Sequence, residues 1–522
     1  MKKENLVNDN NIFKRLENYD LDKYIFDVEN LGLEKTWDNI CKYVIDKNTE
    51  ALAFLDVKNF ANLYEQGLAI IDKNQKKKSG KYYTPEDVAK IMSIWLQKSE
   101  GSSVCDVACG TGQLILTYLD LIGFDKARKL ISDGKIYLYD FDKTALLICK
   151  TTIAKIYGLD IIKSINIIHG DFLDSNINLP NDCKVIANPP YAKMSEISKN
   201  WKQTDVVLDT NEYYSAFMEK IFEGAKSAVI ITPYSFISAN RFYSLREKMS
   251  NLGKGFIVSF DNVPGNIFYG KKHGIFNSNT SNAVRAAVTV FSKSDTKKGF
   301  KISPLIRFKT EERKRLLNAY ELETTLPLDY QVVSEKQTKF EKIEKDLVGV
   351  FKAWKDKSKY LLKDLLSKDE TKYLISMPNT CRYFTTASKR KLNRSGQFSL
   401  YFKNERDFNF IYCLINSSFA YWWWRVYDGG INYPINILKS IPIPLNLLTK
   451  EDDAFFEEMS KKLQAKEDQY IITKLNAGRV QENIKFPKED RDKINKKILS
   501  ILGFDLDGRV FNKVHSNTFF DD

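Results

Sequence analysis

Histidine is nearly missing from this 522-residue chain, with three residues in all. No second Cys/His pair stands at ligand spacing to complement Cys105 and Cys109, so no metal centre is expected. The seven cysteines (Cys41, Cys105, Cys109, Cys149, Cys183, Cys381, Cys413) are odd in number, scattered and mostly set in apolar segments. That excludes a disulfide framework and matches reduced intracellular thiols. No uncharged apolar run approaches the roughly 20 residues that span a bilayer. Met1-Lys2-Lys3-Glu4-Asn5 does not lead into a secretory signal. A soluble, cytoplasmic protein without membrane association is expected. Acidic residues also fall short: 67 against 80 Lys and Arg, a net charge of +13. Such a surplus draws a protein to polyanions, nucleic acid first among them.

The length exceeds what one core supports, and three regions are expected. Residues 1–78 carry apolar side chains at helical spacing (Ile40, Val44, Leu52, Leu55, Phe60, Leu63) and read as a helical region ending in the basic, glycine-closed stretch Asn74 to Gly80. Over 79–295, helical patterns alternate with seven strand-like runs: Ser103 to Val107, Lys135 to Tyr139, Ile165 to Ile168, Lys184 to Ala187, Ser227 to Ile231, Gly255 to Phe260 and Ala286 to Phe291. This is the pattern of an α/β, mostly parallel, doubly wound sheet, which binds ligands at the carboxyl ends of its strands. Over 296–522 the pattern is irregular. It contains a charged helical stretch at Glu335 to Lys359, a basic and aromatic segment from Arg382 to Phe402, a very aromatic run from Ile411 to Trp424, and two closing helical patterns near Asp452 to Leu475 and Lys488 to Leu502. Clustered tryptophans pack inside, so Trp422, Trp423 and Trp424 are expected in a core.

The motifs fall at strand ends. Val104-Cys105-Asp106-Val107-Ala108-Cys109-Gly110-Thr111-Gly112 reads as a strand, an acid and a glycine turn into a helix, where backbone can approach a ligand closely. It also suits an ordinary tight turn. Ile115 stands where a dinucleotide fingerprint requires its third glycine, which disfavours NAD. In Leu138-Tyr139-Asp140-Phe141-Asp142, Asp140 can hold a ribose and Asp142 can cap the next helix. In Gly170-Asp171-Phe172 the acid can accept from an adenine amine and the ring can stack on it, or the pair can be a loop acid and a core aromatic.

Ile186-Ala187-Asn188-Pro189-Pro190-Tyr191 is the decisive segment. Prolines hold the backbone and remove donors, leaving carbonyl oxygens free to accept. An exocyclic aromatic amine is a poor nucleophile because its lone pair is delocalised into the ring. Hydrogen bonds to the Asn188 side-chain oxygen and the Pro189 carbonyl would turn the nitrogen toward tetrahedral geometry and aim its lone pair at a methyl sulfonium. Transfer is then governed by positioning and electrostatics, with no strong base. Tyr191 offers a flat surface for the base.

From Gly80 to about Phe291 these motifs, preceded by Gly80-Lys81-Tyr82-Tyr83-Thr84-Pro85, resemble the gamma-class, TaqI-like adenine-N6 DNA methyltransferases of restriction-modification systems. The resemblance implies a Rossmann-like, S-adenosylmethionine-dependent catalytic domain over 79–295, with the helical region before it and a C-terminal α+β target recognition domain after it. It puts Tyr82, Thr84 and Ala108 around the methionine part of the cofactor, beside the Gly110 loop. Asp106 falls near its amino end, Asp140 on the ribose, and Asp171 with Phe172 on the adenine. Asn188, Pro189 and Tyr191 act on the target adenine, and Phe268 of Asn266-Ile267-Phe268 joins Tyr191 in stacking on it. Tyr214 to Ile221 and Ile231-Thr232-Pro233 fall where later family motifs do. The partners implied are S-adenosylmethionine, double-stranded DNA and a separate restriction endonuclease. Arg382, Lys389, Arg390, Lys391 and Arg394 are the exposed candidates for DNA contact, with a solvated basic face as the equal alternative. Two competing readings are a protein-glutamine methyltransferase, which shares the Asn-Pro-Pro-Tyr chemistry, and a non-catalytic DNA-binding specificity subunit.

Overall fold

The computed structural model describes Asn30 and residues 84–194, 204–268, 284–335, 338–476 and 479–520. The expected N-terminal helical region, Asn30 apart, and Tyr82 lie outside the described residues. Eight strands form one sheet: Ser103–Val107 (β1), Ile136–Asp140 (β2), Asn166–His169 (β3), Cys183–Ala187 (β4), Ser227–Pro233 (β5), Gly253–Phe260 (β6), Ala286–Lys293 (β7) and Gly299–Ile306 (β8). Their order is β3-β2-β1-β4-β5-β7-β6-β8. Strands β1 to β5 pair in parallel, whereas β7 runs antiparallel to both β5 and β6. All seven sequence-expected strands are present, each within two residues of the expected ends. Every residue of β1 and β4 is buried, as parallel strands covered on both faces require.

The helices that position the site are Glu86–Gln97 (α1), Gln113–Ile122 (α2), Lys143–Tyr157 (α3) and Tyr213–Gly224 (α4). Helix α1 starts after Pro85, whose fixed φ suits a helix entry, and Glu86 and Asp87 in its first turn complement the helix dipole. Its apolar stripe of Val88, Ala89, Ile91, Met92, Trp95 and Leu96 is buried. Asp142 caps α3 as expected, its carboxylate accepting from the Ala145 N–H at 3.1 Å. Among the described residues no helix is long and apolar enough to cross a membrane.

The chain forms two compact units, one holding residues up to Ile302 with Ile306–Lys339, the other Ser303–Leu305 with Phe340–Asp522. The second unit is built on aromatic side chains: Trp422 and Trp424 are fully buried and Trp423 nearly so, as expected. Phe351 stacks on Trp423 at 5.4 Å and meets Trp422 edge-on at 5.1 Å. Buried indoles need acceptors, and each has one. Trp422 donates to Glu344 at 2.6 Å, Trp423 to the Ile437 carbonyl at 3.1 Å and Trp424 to the Asn432 carbonyl at 3.1 Å. Two expected helices are shorter than their patterns. Among the described residues from Glu335 to Lys359, the α-helix is Val348–Lys357. The one expected to reach Leu475 ends at Gln464, and Ile471–Asn476 pairs with Arg479–Ile484 as a hairpin. The run Ile471-Ile472-Thr473 explains the switch, since β-branched side chains favour strand over helix.

Candidate active site

Sheet register brings the motifs to one edge. Val107 at the end of β1 lies opposite Ala187 at the end of β4 and Tyr139 of β2, and Asp140 lies opposite His169 of β3. The segments that follow, Ala108 to Gly112, Asp140 to Asp142, Gly170 to Phe172 and Asn188 to Tyr191, therefore all leave the sheet at its carboxyl edge.

The glycine loop is shaped to approach a ligand closely. Ala108 has φ +62°, a left-handed backbone that costs a non-glycine residue about 1–3 kcal/mol and concentrates at functional sites. Gly112 opens α2 at φ +96°, and a Cβ there would meet the Cys149 sulfur at 2.5 Å. Two carboxylates brace the loop from within. Buried Asp106 accepts from the Ile115 N–H of α2 at 3.0 Å. Asp140 accepts from the Gly110 N–H at 2.7 Å and from the Asp142 N–H at 2.8 Å, through different oxygens. A carboxylate has about four acceptor sites, so several partners can share Asp140. Burial, and then the neighbouring Cys149 thiol, push the Cys109 thiol well above its ordinary pKa, so this cysteine of the loop is a neutral packing group. These features fit S-adenosylmethionine: a glycine cradle at the mouth of β1 and an acid at the end of β2.

Phe172 is buried and serves as a wall, its ring edge-on to Tyr139 at 5.6 Å and tilted against Phe217 at 5.2 Å. Lys220 of α4 holds that wall, donating to the carbonyls of Phe172 at 2.6 Å and Asp174 at 2.7 Å with its ammonium 4.9 Å from the Phe172 ring. Burial lowers the Lys220 pKa, with Asp174 and Asp171 opposing the shift. Asp171 turns its own loop by accepting from the Leu173 N–H at 3.0 Å. The open aromatic surface is Phe141, 77% exposed directly after Asp140. Sequence reasoning passed over it. The available signal was a phenylalanine following a strand-end acid, where the chain has already left the core.

At the end of β4, half-buried Asn188 donates from Nδ2 to the Thr84 hydroxyl at 2.8 Å. Pro189 is buried behind it. Tyr191 donates its hydroxyl to the Ile231 carbonyl at 3.2 Å, and its ring meets Phe268 edge-on at 6.0 Å and Tyr214 at 6.4 Å. The segments Tyr214 to Ile221, Ile231-Thr232-Pro233 and Asn266-Ile267-Phe268, far apart in sequence, thus gather around Tyr191. Thr84, assigned by resemblance to the cofactor, also accepts this hydrogen bond from the Asn188 amide.

In the second unit Arg382, Lys389 and Lys391 are exposed. Arg390 and Arg394 are half-buried and occupied. Arg390 pairs with Asp468 at 3.2 Å and Glu482 at 3.4 Å. Arg394 donates to the Gly396 carbonyl at 3.1 Å and the Thr380 hydroxyl at 2.9 Å.

Comparison with known proteins gives the family of the chain. The chain is 27% identical over 144 residues to the methylase subunit of the type I restriction enzyme MpnII of Mycoplasma pneumoniae, covering 26% of this chain and 25% of that protein. It is 25% identical over 183 residues to the methylase subunit of the type I restriction enzyme EcoEI of Escherichia coli, covering 33% of this chain and 36% of that one. The matches therefore span only a quarter to about a third of the relatives' length. Among solved structures, a DrdV–DNA complex aligns with a TM-score of 0.46 at 12% identity, over 84% of this chain and 62% of that one. The family model for N-6 DNA Methylase matches residues 56–360, more than half of the sequence, and the chain belongs to that family.

Proposed function

We propose that this chain is a site-specific DNA methyltransferase that moves a methyl group from S-adenosylmethionine to N6 of an adenine in double-stranded DNA. The observation that carries the reading is the Asn188-Pro189-Pro190-Tyr191 turn at the carboxyl end of β4, its amide hydrogen-bonded to Thr84 and its tyrosine paired edge-on with Phe268. Tyr82, Thr84 and Ala108 with the Gly110 loop hold the methionine part of the cofactor, Asp106 its amino end, Asp140 the ribose, and Asp171 and Phe172 the adenine, with Phe141 covering that ring. Bound S-adenosylmethionine supplies a methyl group already activated on a sulfonium.

The chain's own residues prepare the acceptor. An adenine N6 is paired and stacked inside the duplex, so the target base must leave it, at a cost of about a few kcal/mol. Aromatic surfaces offset that cost by about 1–3 kcal/mol per stacked base. Tyr191 takes one face of the base and Phe268 meets it from the side. The Asn188 side-chain oxygen and the Pro189 carbonyl then accept from N6, localise its lone pair and direct it. The second unit carries target recognition, with Arg382, Lys389 and Lys391 on backbone phosphates and Arg390 and Arg394 framing them through their acidic and polar partners. In a restriction-modification setting, cleavage falls to a separate endonuclease.

Incubation with methyl-labelled S-adenosylmethionine and, in parallel, mixed-sequence duplex DNA and a release-factor-like protein tests the reading. Label recovered as N6-methyladenine after DNA digestion is expected. Label in the protein alone assigns glutamine methylation instead, and no transfer to any acceptor indicates a non-catalytic DNA-binding role.

A further inference from the structure

Arg313 opens the short helix Arg313–Leu316, beyond the last strand of the sheet and outside every motif described above. It is 6% exposed, and its guanidinium is shared between two segments of the site. Nε and Nη2 donate to the two carboxylate oxygens of Asp87 at 2.6 and 2.8 Å. Nη1 donates to the Asn266 carbonyl at 2.7 Å and Nη2 to the Ile267 carbonyl at 2.6 Å. Asp87 stands in the first turn of α1, just after Thr84, which accepts from the Asn188 amide. Asn266 and Ile267 immediately precede Phe268, which meets Tyr191 edge-on.

Among the described residues, the segment Asp261 to Phe268 is held at further points. Asp261 accepts from the Nε of Arg285 and of Arg307, each at 2.8 Å. The Gly265 N–H donates to the Phe308 carbonyl at 2.8 Å, and the Asn266 side chain accepts from the Phe268 N–H at 2.8 Å. Of these anchors, the Arg313 fork is the one that also grips α1. A planar guanidinium can satisfy a bidentate carboxylate and two carbonyls at once, which a lysine ammonium on its single-point stem cannot.

We infer that Arg313 is a positioning residue for methyl transfer, holding the Phe268 loop in register with the Thr84–Asn188 pair so that the stacking ring and the hydrogen-bond acceptors address the same adenine. The inference rests on the proposed adenine methylation. Displacements near 1 Å at a reacting centre can cost about a hundredfold, so slackening this fork registers in the rate.

The test combines single-turnover transfer with hydrogen exchange. Arg313→Met should slow transfer by about tenfold or more while the S-adenosylmethionine Kd stays within about threefold of wild type. In a Phe268→Ala background the same change should cost less than about twofold, since a residue acting through Phe268 has little left to lose. Equal fold losses in both backgrounds would overturn the inference. Arg313→Lys, which keeps the charge should Arg313→Met not fold, and Asp87→Ala, which removes the carboxylate side of the fork, should show the same non-additivity. Without DNA or cofactor, the amides of residues 265–268 should exchange faster in Asp87→Ala than in wild type. Unchanged exchange there also overturns the inference. Should wild type methylate no DNA, the functional reading fails, and the exchange measurement still decides whether Arg313 and Asp87 hold the loop.

Discussion

Asn188 Nδ2 donates to Thr84 Oγ1 at 2.8 Å, joining two residues 104 positions apart at the mouth of the sheet. With one N–H on Thr84, the amide presents its oxygen on its other side, the arrangement the proposed role uses. Asn188→Ala should lower single-turnover transfer by about 3–4 kcal/mol in barrier, the usual cost of a lost positioned hydrogen-bonding group, with cofactor affinity little changed. Thr84→Val, which removes the hydroxyl and keeps the shape, should lose at least about tenfold, or about 1.4 kcal/mol. Thr84→Ser should recover most of it. Equal rates for Thr84→Val and wild type would show that the amide needs no orienting partner.

Tyr191 offers both a ring and a hydroxyl, and the proposed role uses the ring. Tyr191→Phe and Tyr191→Trp should retain much of the transfer rate, whereas Tyr191→Ala should lose the stacking contribution of about 1–3 kcal/mol. A 2-aminopurine at the target position should brighten on binding as it leaves its neighbours, or brighten in Tyr191→Ala if the tyrosine quenches it. A probe dark in both proteins, together with normal methylation by Tyr191→Ala, would remove base flipping onto this ring.

Asp140 accepts from the backbone N–H groups of Gly110 and Asp142 through different oxygens. Asp140→Asn has one acceptor oxygen and sets an NH2 group against the second donor. Hydrogen bonds to charged groups contribute about 1.5–3 kcal/mol, so S-adenosylmethionine affinity by calorimetry should fall by about tenfold or more. An unchanged Kd would take Asp140 out of the cofactor site.

Lys220 holds the Phe172 and Asp174 carbonyls, and Lys220→Met should free that loop and raise the S-adenosylmethionine Kd. Burial lowers this ammonium's folded-state pKa below its unfolded value. Between those two values the unfolded chain binds more protons, so the stability of wild type relative to Lys220→Met should rise as alkaline pH passes through the folded pKa. Denaturant unfolding of both proteins across that range checks the sign. A difference that falls with pH would contradict it.

Seven of the eight strands were legible in the sequence because each is a short apolar run bounded by breakers, whereas β8, Gly299–Ile306, lies in a stretch that reads as irregular. The motifs were legible for a related reason. Glycine, proline and an acid at a strand end are constrained by local backbone geometry, so Gly110, Asp140 and the Asn188-Pro189-Pro190-Tyr191 turn declare themselves without knowledge of their neighbours. The tryptophan core of the second unit was equally readable from its composition. The hairpin Ile471–Asn476 with Arg479–Ile484 was not, because an apolar run of that length serves helix or strand until a partner is present.

What the sequence by itself determined is therefore which groups are offered: amide and carbonyl acceptors, a tyrosine ring after a strand, a glycine turn and strand-end acids. Tertiary structure decided which partner each group serves. It joined the Asn188 amide to Thr84, made Phe172 a buried wall and Phe141 the open ring, engaged Arg390 and Arg394 with acidic and polar partners, and spent Arg313 on Asp87 and the loop before Phe268. The physical reason is one of range. Backbone constraints act over a few residues and leave local signatures, whereas a hydrogen bond or ring contact between segments a hundred or more residues apart exists only once sheet register has brought their ends to the same edge.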